Sequence, residues 1–245
     1  MAYAAKNRAI LLQKGKRMKQ LLEKIRRVPR WGIITGIVYF ALQYGLYRLG
    51  NTLSVVLGTI QWSFDCKIPV IDDLFPVIPV FSVIYLYSYI FWIMGPMAVS
   101  LTKKRNFANY IIGLSLAYLI GFLCFIFVPT YMDRVKEGLM EYGSKPGIFN
   151  ALLNTIYAAD GSEKAFNLIP SYHCLISTYC YLGVRKQPEI SKGFQNYSLI
   201  MAILIVLSTL FTKQHYIIDC ITGIGISIGC YILMEKLDPG KKYID

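Results

Sequence analysis

The chain has 245 residues, of which 55% are hydrophobic and only 16% are charged. A soluble domain carries about 25% charged residues, whereas several runs here have none over about 20 residues, enough to cross a hydrocarbon core of roughly 30 Å. This composition excludes a soluble protein and predicts an all-α, polytopic membrane helix bundle. The formal charge of +12 does not indicate a nucleic-acid partner, because the basic residues cluster in short segments beside apolar runs.

The N-terminal segment is strongly basic. Ten of the 26 Lys and Arg residues come before Trp31, interleaved with aliphatic residues at helix-like spacing. No small-residue cleavage site follows, so a cleaved signal peptide is not expected. We expect residues 1–30 to form a basic amphipathic helix on the anionic inner membrane surface, and residues 31–245 to form one six-helix transmembrane domain.

Charge-free runs predict the six transmembrane helices. They cover roughly residues 31–49, 77–101, 107–128, 168–184, 196–212 and 216–234. With the N-terminus inside, the inner segments hold 19 of the 26 Lys and Arg residues, as the positive-inside rule requires. Both termini are therefore expected in the cytoplasm. The long loop 129–167 is expected outside, where Tyr131–Tyr142 and Gly147–Ala159 both permit a helix.

Cysteines and carboxylates give no sign of a metal site. The six cysteines lack metal-binding spacing, and we interpret them as small packing residues. Five lie in apolar runs, and Cys66 alone lies in a loop. No acidic cluster suggests Mg²⁺ binding, so we expect neither a metal nor any other cofactor.

Three ionisable residues fall at the predicted outer ends of spans: His173, His215 and Asp219. Ionisable groups near membrane depth are costly, which indicates a functional site. Because His215 and Asp219 are four residues apart, they are neighbours on one helix face. The aspartate can accept one ring N–H and fix the tautomer, which leaves the other ring nitrogen free as a nucleophile or base.

Residues around the fourth predicted span favour an anionic ligand. Serine is a favoured N-cap, and if Ser171 caps this helix, the free N–H groups near Tyr172 point outward as an anion site. Arg134 and Lys213 are the outer cations best placed to join it, since a guanidinium binds phosphate oxygens bidentately and a lysine adds a point charge.

At this point the residues resemble a known family. Residues 170–173, Pro-Ser-Tyr-His, resemble its Pro-Ser-x-His motif, and the Ser-Thr, His and Asp of residues 208–219 resemble its third motif. Residues 128–134 resemble its first motif, which ends in an arginine. The family is the type 2 phosphatidic acid phosphatase superfamily of lipid phosphatases and phosphotransferases, and the resemblance covers roughly residues 120–235.

The resemblance, together with the spacing, implies a mechanism. His215, oriented by Asp219, attacks phosphorus and forms a phosphohistidine, and protonated His173 gives its proton to the leaving group. The oxygens of the phosphate are held by Arg134, Lys213, Ser171 and Tyr172. The implied partners are a membrane lipid substrate and the bilayer, with the active site on the extracytoplasmic side.

Departures from the family pattern leave the substrate open. Phe127 stands where the family has a lysine, Thr209 where it has an arginine, and Val135 where it has a proline; Tyr172 stands where a glycine is common. Phosphatidic acid, phosphatidylglycerol phosphate, polyprenyl diphosphate and a lipid headgroup donor all remain candidates. Hydrolysis is the first interpretation and headgroup transfer to a lipid hydroxyl the second.

Functions other than lipid phosphate hydrolysis or transfer also remain possible interpretations of the sequence. A membrane transporter would use the same charges as an ion pathway, a bis-histidine haem protein would use both imidazoles as ligands, and a scaffold would keep a degenerate site. The oligomeric state is left open, with a homodimer as one option.

Overall fold

The computed structural model describes residues 28–143, 145–161 and 163–243. The described α-helices are α1 Arg30–Val56, α2 Pro69–Asp72, α3 Phe81–Val99, α4 Lys104–Phe127, α5 Ile148–Ala159, α6 Tyr172–Val184, α7 Lys192–Phe211 and α8 Ile217–Leu237. Three short 3₁₀ helices cover Thr59–Trp62, Met140–Gly143 and Pro239–Lys242. The predicted amphipathic helix falls almost wholly on residues 1–27, outside the described residues, and stays a prediction.

Four helical stretches are long and apolar enough to cross a membrane, as expected of an integral membrane protein. They are Phe81–Val99, Lys104–Phe127, Lys192–Phe211 and Ile217–Lys242. They match the predicted spans 77–101, 107–128, 196–212 and 216–234.

The other two predicted spans do not meet both conditions. The span 31–49 lies in α1, which has 27 residues but includes polar ones such as Gln43 and Arg48. The span 168–184 contains α6, whose 13 residues cover only about 20 Å of a hydrocarbon core that is roughly 30 Å thick. The predicted count of six transmembrane helices is therefore not confirmed.

The described residues are mostly helical, as predicted, but they also form one small sheet that an all-α fold does not include. Its strands are β1 Phe64–Asp65, β2 Thr130–Asp133 and β3 Lys164–Phe166, in the order β1-β2-β3. β1 runs parallel to β2, and β3 runs antiparallel to it. The expected helix over Tyr131–Tyr142 is therefore wrong, because pairing with distant strands and the burial of Met132 make its first residues a strand. Turns follow this strand, and only the 3₁₀ helix Met140–Gly143 at the end of the segment is helical. The expected helix at Gly147–Ala159 is confirmed as α5.

The larger core lies inside the helix bundle. α6 packs against α3, α7 and α8, and α4 packs against α1 and α8. Many of the buried side chains here are aromatic, including Phe91, Tyr110, Tyr118, Tyr172 and Tyr179. The short helix α6 therefore has bundle helices around it, and its side chains are almost all buried.

A second core lies beneath the sheet and joins it to α5 and to the start of α8. It contains Met132, Leu139, Leu153, Tyr157, Ala165, Leu168 and Tyr216. The hydroxyl of Tyr157 donates to the carbonyl oxygen of Thr212 at 2.9 Å, which fastens α5 to the turn between α7 and α8. The sheet and α5 thus cover the end of the bundle at which α6 and α8 begin.

Candidate active site

His215 and Asp219 meet where the turn after α7 enters α8. The Nδ1 of His215 lies 3.3 Å from Oδ2 of Asp219. The same oxygen accepts the backbone N–H of Tyr216 at 2.8 Å, so the first turn of α8 fixes the carboxylate. Because an ionised carboxylate only accepts hydrogen bonds, Nδ1 carries the proton and Nε2 has a free lone pair. The predicted pair is brought together.

The charge of Asp219 changes the titration of His215. Burial opposes the charged form of the imidazole, but the hydrogen bond to Asp219 and the carboxylate's charge outweigh it, and the pKa of His215 is raised above its ordinary value. A raised pKa accompanies a more basic imidazole, which favours both nucleophilic attack and proton acceptance.

Cys66 supplies a contact that the sequence analysis missed. Its thiol donates to Oδ1 of Asp219 at 3.2 Å, so both carboxylate oxygens are engaged. Burial and the nearby charge of Asp219 raise the pKa of this thiol, which keeps it protonated as a donor. The only signal in the sequence was that Cys66, unlike the other cysteines, lies in a loop.

His173 is the second residue of α6 and faces His215. Their ring centroids are 6.1 Å apart. The His173 ring stacks on Tyr85, with a centroid distance of 4.0 Å, and also contacts Trp92 at 4.8 Å. Its Nε2 is buried and has no hydrogen-bond partner among the described residues. The packing therefore fixes the ring while leaving one nitrogen unsatisfied.

Ser171 is the N-cap of α6, as predicted from the sequence. Its Oγ accepts the N–H of Cys174 at 3.3 Å, and its own N–H donates to the carbonyl oxygen of Asp219 at 3.1 Å. A Cβ on Gly223 would lie 2.6 Å from the carbonyl oxygen of Ser171, so glycine is needed for α6 and α8 to approach this closely. The N–H groups of Tyr172 and His173 have no intrahelical acceptor.

The side chain of Tyr172 enters the bundle core. Its hydroxyl donates to the carbonyl oxygen of Tyr118 at 2.8 Å, and its ring stacks on the Tyr118 ring at a centroid distance of 5.6 Å. Only the backbone N–H of Tyr172 is therefore available to an anion.

A cavity of about 340 Å³ adjoins the two histidines. Its wall is largely aromatic and includes Phe40, Tyr44, Tyr47, Tyr85, Tyr89 and Phe125. Polar side chains of His173, His215, Asp160 and Gln214 lie on it as well. No lysine or arginine belongs to this wall in the part of the chain that the structure describes.

Arg134 lies behind the cavity wall. It follows β2 and is fully buried. Its Nη1 donates to the carbonyl oxygens of Tyr157, at 3.0 Å, and Gly161, and its Nη2 lies 3.3 Å from both Asp160 Oδ2 and Gln214 Oε1. Its Nε has no partner among the described residues. The guanidinium thus reaches the cavity only through Asp160 and Gln214.

Asp160 is a second residue that the sequence analysis missed. It ends α5, accepts a hydrogen bond from the hydroxyl of Tyr47, and pairs with Arg134. Burial raises the pKa of its carboxyl group, although Tyr47 and Arg134 favour the ionised form. No motif marks this position, so a single-sequence reading had no means to select it.

Lys213 points away from the cavity. Its Nζ donates to the carbonyl oxygen of Asp72 at 2.6 Å, and burial lowers its pKa. The carboxylate of Asp72 in turn accepts the N–H of Ile217 at 2.8 Å. Lys213 therefore joins α2 to the segment that carries His215, whereas a phosphate-binding role would require it to move.

The comparisons with known proteins agree with the motifs. A family model described as the PAP2 superfamily matches residues 70–233, which is more than half of the chain and includes both histidines and Asp219. An uncharacterized protein of Methanocaldococcus jannaschii is 30% identical over 151 residues, or 60% of this chain. The matched region covers 57% of that relative, so the chain spans little more than half of its length. No solved structure matches the chain.

Proposed function

Because the chain belongs to the PAP2 superfamily, whose members are typically phosphatases or phosphotransferases, we propose that it hydrolyses a lipid phosphate or polyprenyl diphosphate at the extracytoplasmic face. One observation carries this proposal. The fully buried Asp219 holds Nδ1 of His215, and a second imidazole, His173, lies 6.1 Å away across the same cavity. An oriented base beside a second titratable ring is an arrangement suited to nucleophilic catalysis.

In the first step, the lone pair on Nε2 of His215 attacks phosphorus. An N–P bond forms, and the bond from phosphorus to the leaving oxygen breaks. His173, whose charged form a bound phosphate favours, gives its proton to that oxygen. Asp219 stabilises the charge that develops on His215. Water then attacks phosphorus, the N–P bond breaks so that Nε2 of His215 regains its lone pair and phosphate leaves, and His173 takes a proton from the water.

The phosphate oxygens need donors on the cavity wall. The N–H groups of Tyr172 and His173 at the start of α6 and the unpartnered Nε2 of Gln214 are available to them. The hydroxyl hydrogen of Ser171 is a further donor. Preorganised donors of this kind stabilise the charge of the transition state. Arg134 contributes by holding Gln214, and Lys213 by holding the turn before His215.

The wall of the cavity supports an amphiphilic substrate. Its aromatic residues offer apolar surface to a lipid chain, while the polar groups lie together beside the histidines. A phosphate group bound at the histidines would have its lipid portion against these rings. No metal is required by the proposed steps, so activity should survive chelation by EDTA.

Phosphate release tests the proposal. Purified protein in detergent is given a panel of lipid phosphates and diphosphates, and wild type is compared with His215→Gln. We expect release with at least one substrate and a loss of about 10³-fold or more in the variant. Thermal unfolding of the variant establishes that it is folded. Equal release by the two proteins would remove His215 as the nucleophile.

Headgroup transfer is the second candidate, and the charge of the cavity favours it. A phosphomonoester carries about 1.5 to 2 negative charges at pH 7, while a phosphodiester carries a single one. Asp160 neutralises Arg134, and the family's other two cations are replaced by Phe127 and Thr209. A cavity without surplus positive charge suits the diester of a lipid headgroup donor better than a monoester.

An added lipid alcohol separates the two candidates. The same protein is incubated with a phosphodiester lipid, with and without the alcohol, and the products are resolved by mass spectrometry. A new phospholipid formed without free phosphate or free phosphorylated headgroup would establish transfer. A free phosphomonoester, either the phosphorylated headgroup or the lipid phosphate, whose amount the alcohol does not reduce would establish hydrolysis.

A further inference from the structure

A second cavity is a groove between α6, α7 and α8, and one of its ends, at Arg185, lies at the end of α6 far from the histidines. Its volume is about 430 Å³. Along α6, Arg185 on this groove lies 12 residues after His173, which is about 18 Å of helix axis. The groove shares no lining residue with the cavity at the histidines, so what it binds is independent of the proposed function.

The walls of the groove are aliphatic. Leu182 comes from α6, Ile203 and Leu207 from α7, and Ile224 and Ile228 from α8. Because α7 and α8 are membrane-length helices, this groove opens toward the lipid chains. A linear hydrocarbon chain is the shape and the chemistry that such a groove accepts.

One end of the groove is polar. Tyr181, Arg185 and Leu199 line both the groove and a smaller neighbouring cavity of about 140 Å³. Lys186 and Asn196 also line that smaller cavity. The two spaces therefore form one site with an apolar part and a polar part that meet at Arg185.

Arg185 has unused hydrogen-bonding capacity at this junction. Its guanidinium carbon lies 5.6 Å from the centre of the Tyr231 ring. Its Nε is buried and has no partner among the described residues. Because Arg185 lines both the groove and the smaller cavity, its guanidinium is placed to meet the oxygens of a phosphate group.

The charges at this end favour an anion. Arg185, Lys186 and Lys192 lie within eight residues of one another, against two carboxylates nearby, Glu189 and Glu235. Glu189 is exposed, on the loop between α6 and α7. Glu235 lines the groove on the α8 side, one helical turn beyond Tyr231. The excess of positive charge complements an acidic headgroup better than a zwitterionic one.

We propose that this groove binds one anionic phospholipid, with its phosphate on Arg185 and Lys186 and one acyl chain along α7 and α8. Such a lipid fills the gap beside the short helix α6 and stabilises the packing of α6 against α7 and α8. Since α6 carries His173 at its other end, the lipid supports the bundle without touching the active site.

Lipid titration tests this site. Delipidated protein in detergent is titrated with phosphatidylglycerol or phosphatidylcholine of identical chains, and bound lipid is counted by native mass spectrometry alongside thermal unfolding. We expect one phosphatidylglycerol to bind more tightly than phosphatidylcholine and to raise Tm. Arg185→Gln should weaken phosphatidylglycerol about tenfold and phosphatidylcholine by less, so that the preference for the anionic lipid narrows, because a charge-assisted contact to the phosphate is lost. Arg185→Lys should keep most of the preference.

A matched pair on α7 tests the apolar part. Ile203 lines the groove and Ile200 does not, although they are similarly exposed, at 51% and 56%. Ile203→Trp should reduce the binding of both lipids, whereas Ile200→Trp should reduce the binding of neither lipid. This pair of variants tests the proposed site even if Arg185→Gln does not fold. Equal behaviour of the pair, or unchanged phosphatidylglycerol binding in a folded Arg185→Gln, would overturn the proposal. A change from dimer to monomer in Ile203→Trp would instead assign the groove to a second copy of the chain.

Discussion

The two sides of the cavity present different groups to a ligand: imidazole rings on one side and a carboxylate on the other. On the histidine side, His173 lies on the first turn of α6, and His215 lies just before α8. Asp219, beside His215, is buried. On the carboxylate side, Asp160 ends α5 and covers the buried Arg134. On the histidine side, the carboxylate of Asp219 lies behind the imidazole of His215, away from the cavity. On the carboxylate side, Asp160 lines the cavity and the guanidinium of Arg134 lies behind it.

This difference separates chemistry from substrate choice. The histidine side has what nucleophilic attack requires: an oriented ring, a buried carboxylate and a second imidazole. We expect the carboxylate side to decide which anion is tolerated, because the carboxylate of Asp160 lines the cavity that would receive the phosphate. Changes on the two sides should therefore affect different quantities, catalytic rate on one and substrate preference on the other.

The largest effect is expected from Asp219→Asn, which breaks the histidine side. Loss of the carboxylate should lower kcat by about 10³-fold or more, as when the carboxylate of a catalytic triad is neutralised. Attack requires a neutral Nε2, so the acidic limb of the wild-type pH–rate profile should lie above the ordinary histidine pKa of about 6.5. Since Asp219 raises the pKa of His215, the limb should move to lower pH in the variant.

The control for this change is Asp133→Asn. Asp133 ends β2, and its carboxylate accepts the N–H of Lys136 at 3.1 Å, away from the cavity wall. It should leave both kcat and the pH profile unchanged. If the acidic limb of the pH–rate profile has the same pKa in Asp219→Asn as in wild type, this limb does not reflect the titration of His215.

An intermediate effect is expected from Asp160→Asn, which alters the carboxylate side. Removing the negative charge should raise kcat/KM for a phosphomonoester relative to a phosphodiester by about tenfold, the equivalent of one screened charge interaction at short range. The measurement is the ratio of kcat/KM values for a monoester and a diester with the same lipid chains. A ratio equal to that of wild type, or loss of activity toward both, would contradict the separation of the two sides.

The smallest effect is expected from Cys66→Ala, which leaves the histidine side assembled but removes one hydrogen bond to Asp219. A single hydrogen bond contributes about 0.5–1.5 kcal/mol, so kcat should fall by roughly two- to tenfold. Cys66→Ser keeps a donor and should restore most of the rate. Cys124→Ala, at another half-buried free cysteine, is the matched control. A role in packing alone would make Cys66→Ser as slow as Cys66→Ala.

The sequence predicted the parts of the molecule that depend on local signals. Long apolar runs located four membrane-length helices, the serine at 171 gave the N-cap of α6, and the four-residue spacing placed His215 beside Asp219. Each of these follows from residues close together in the chain. His215 lies two residues before α8, however, so the pair meets because Asp219 caps the start of this helix and not because both residues share a helix face.

Features that depend on distant segments could not be predicted. The sheet pairs β1 with β2 across more than 60 residues, and no local pattern encodes that register. Arg134 looked like an outer cation free for phosphate, but Asp160, 26 residues later, reaches it in the fold. Cys66 and Asp219 are 153 residues apart. Tertiary contacts, which a single sequence does not reveal, therefore decided which predicted ligands face the cavity.

Trapping the intermediate tests the central claim most directly. Wild-type protein is mixed with a radiolabelled lipid phosphate, or with a donor labelled in its phosphate, quenched in base within one turnover, and digested for mass spectrometry. The account predicts an acid-labile phosphoryl group on His215, absent from His215→Gln and longer-lived in His173→Gln, in which the second step lacks its base. Turnover without any label on the protein, or label on a residue other than His215, would contradict it.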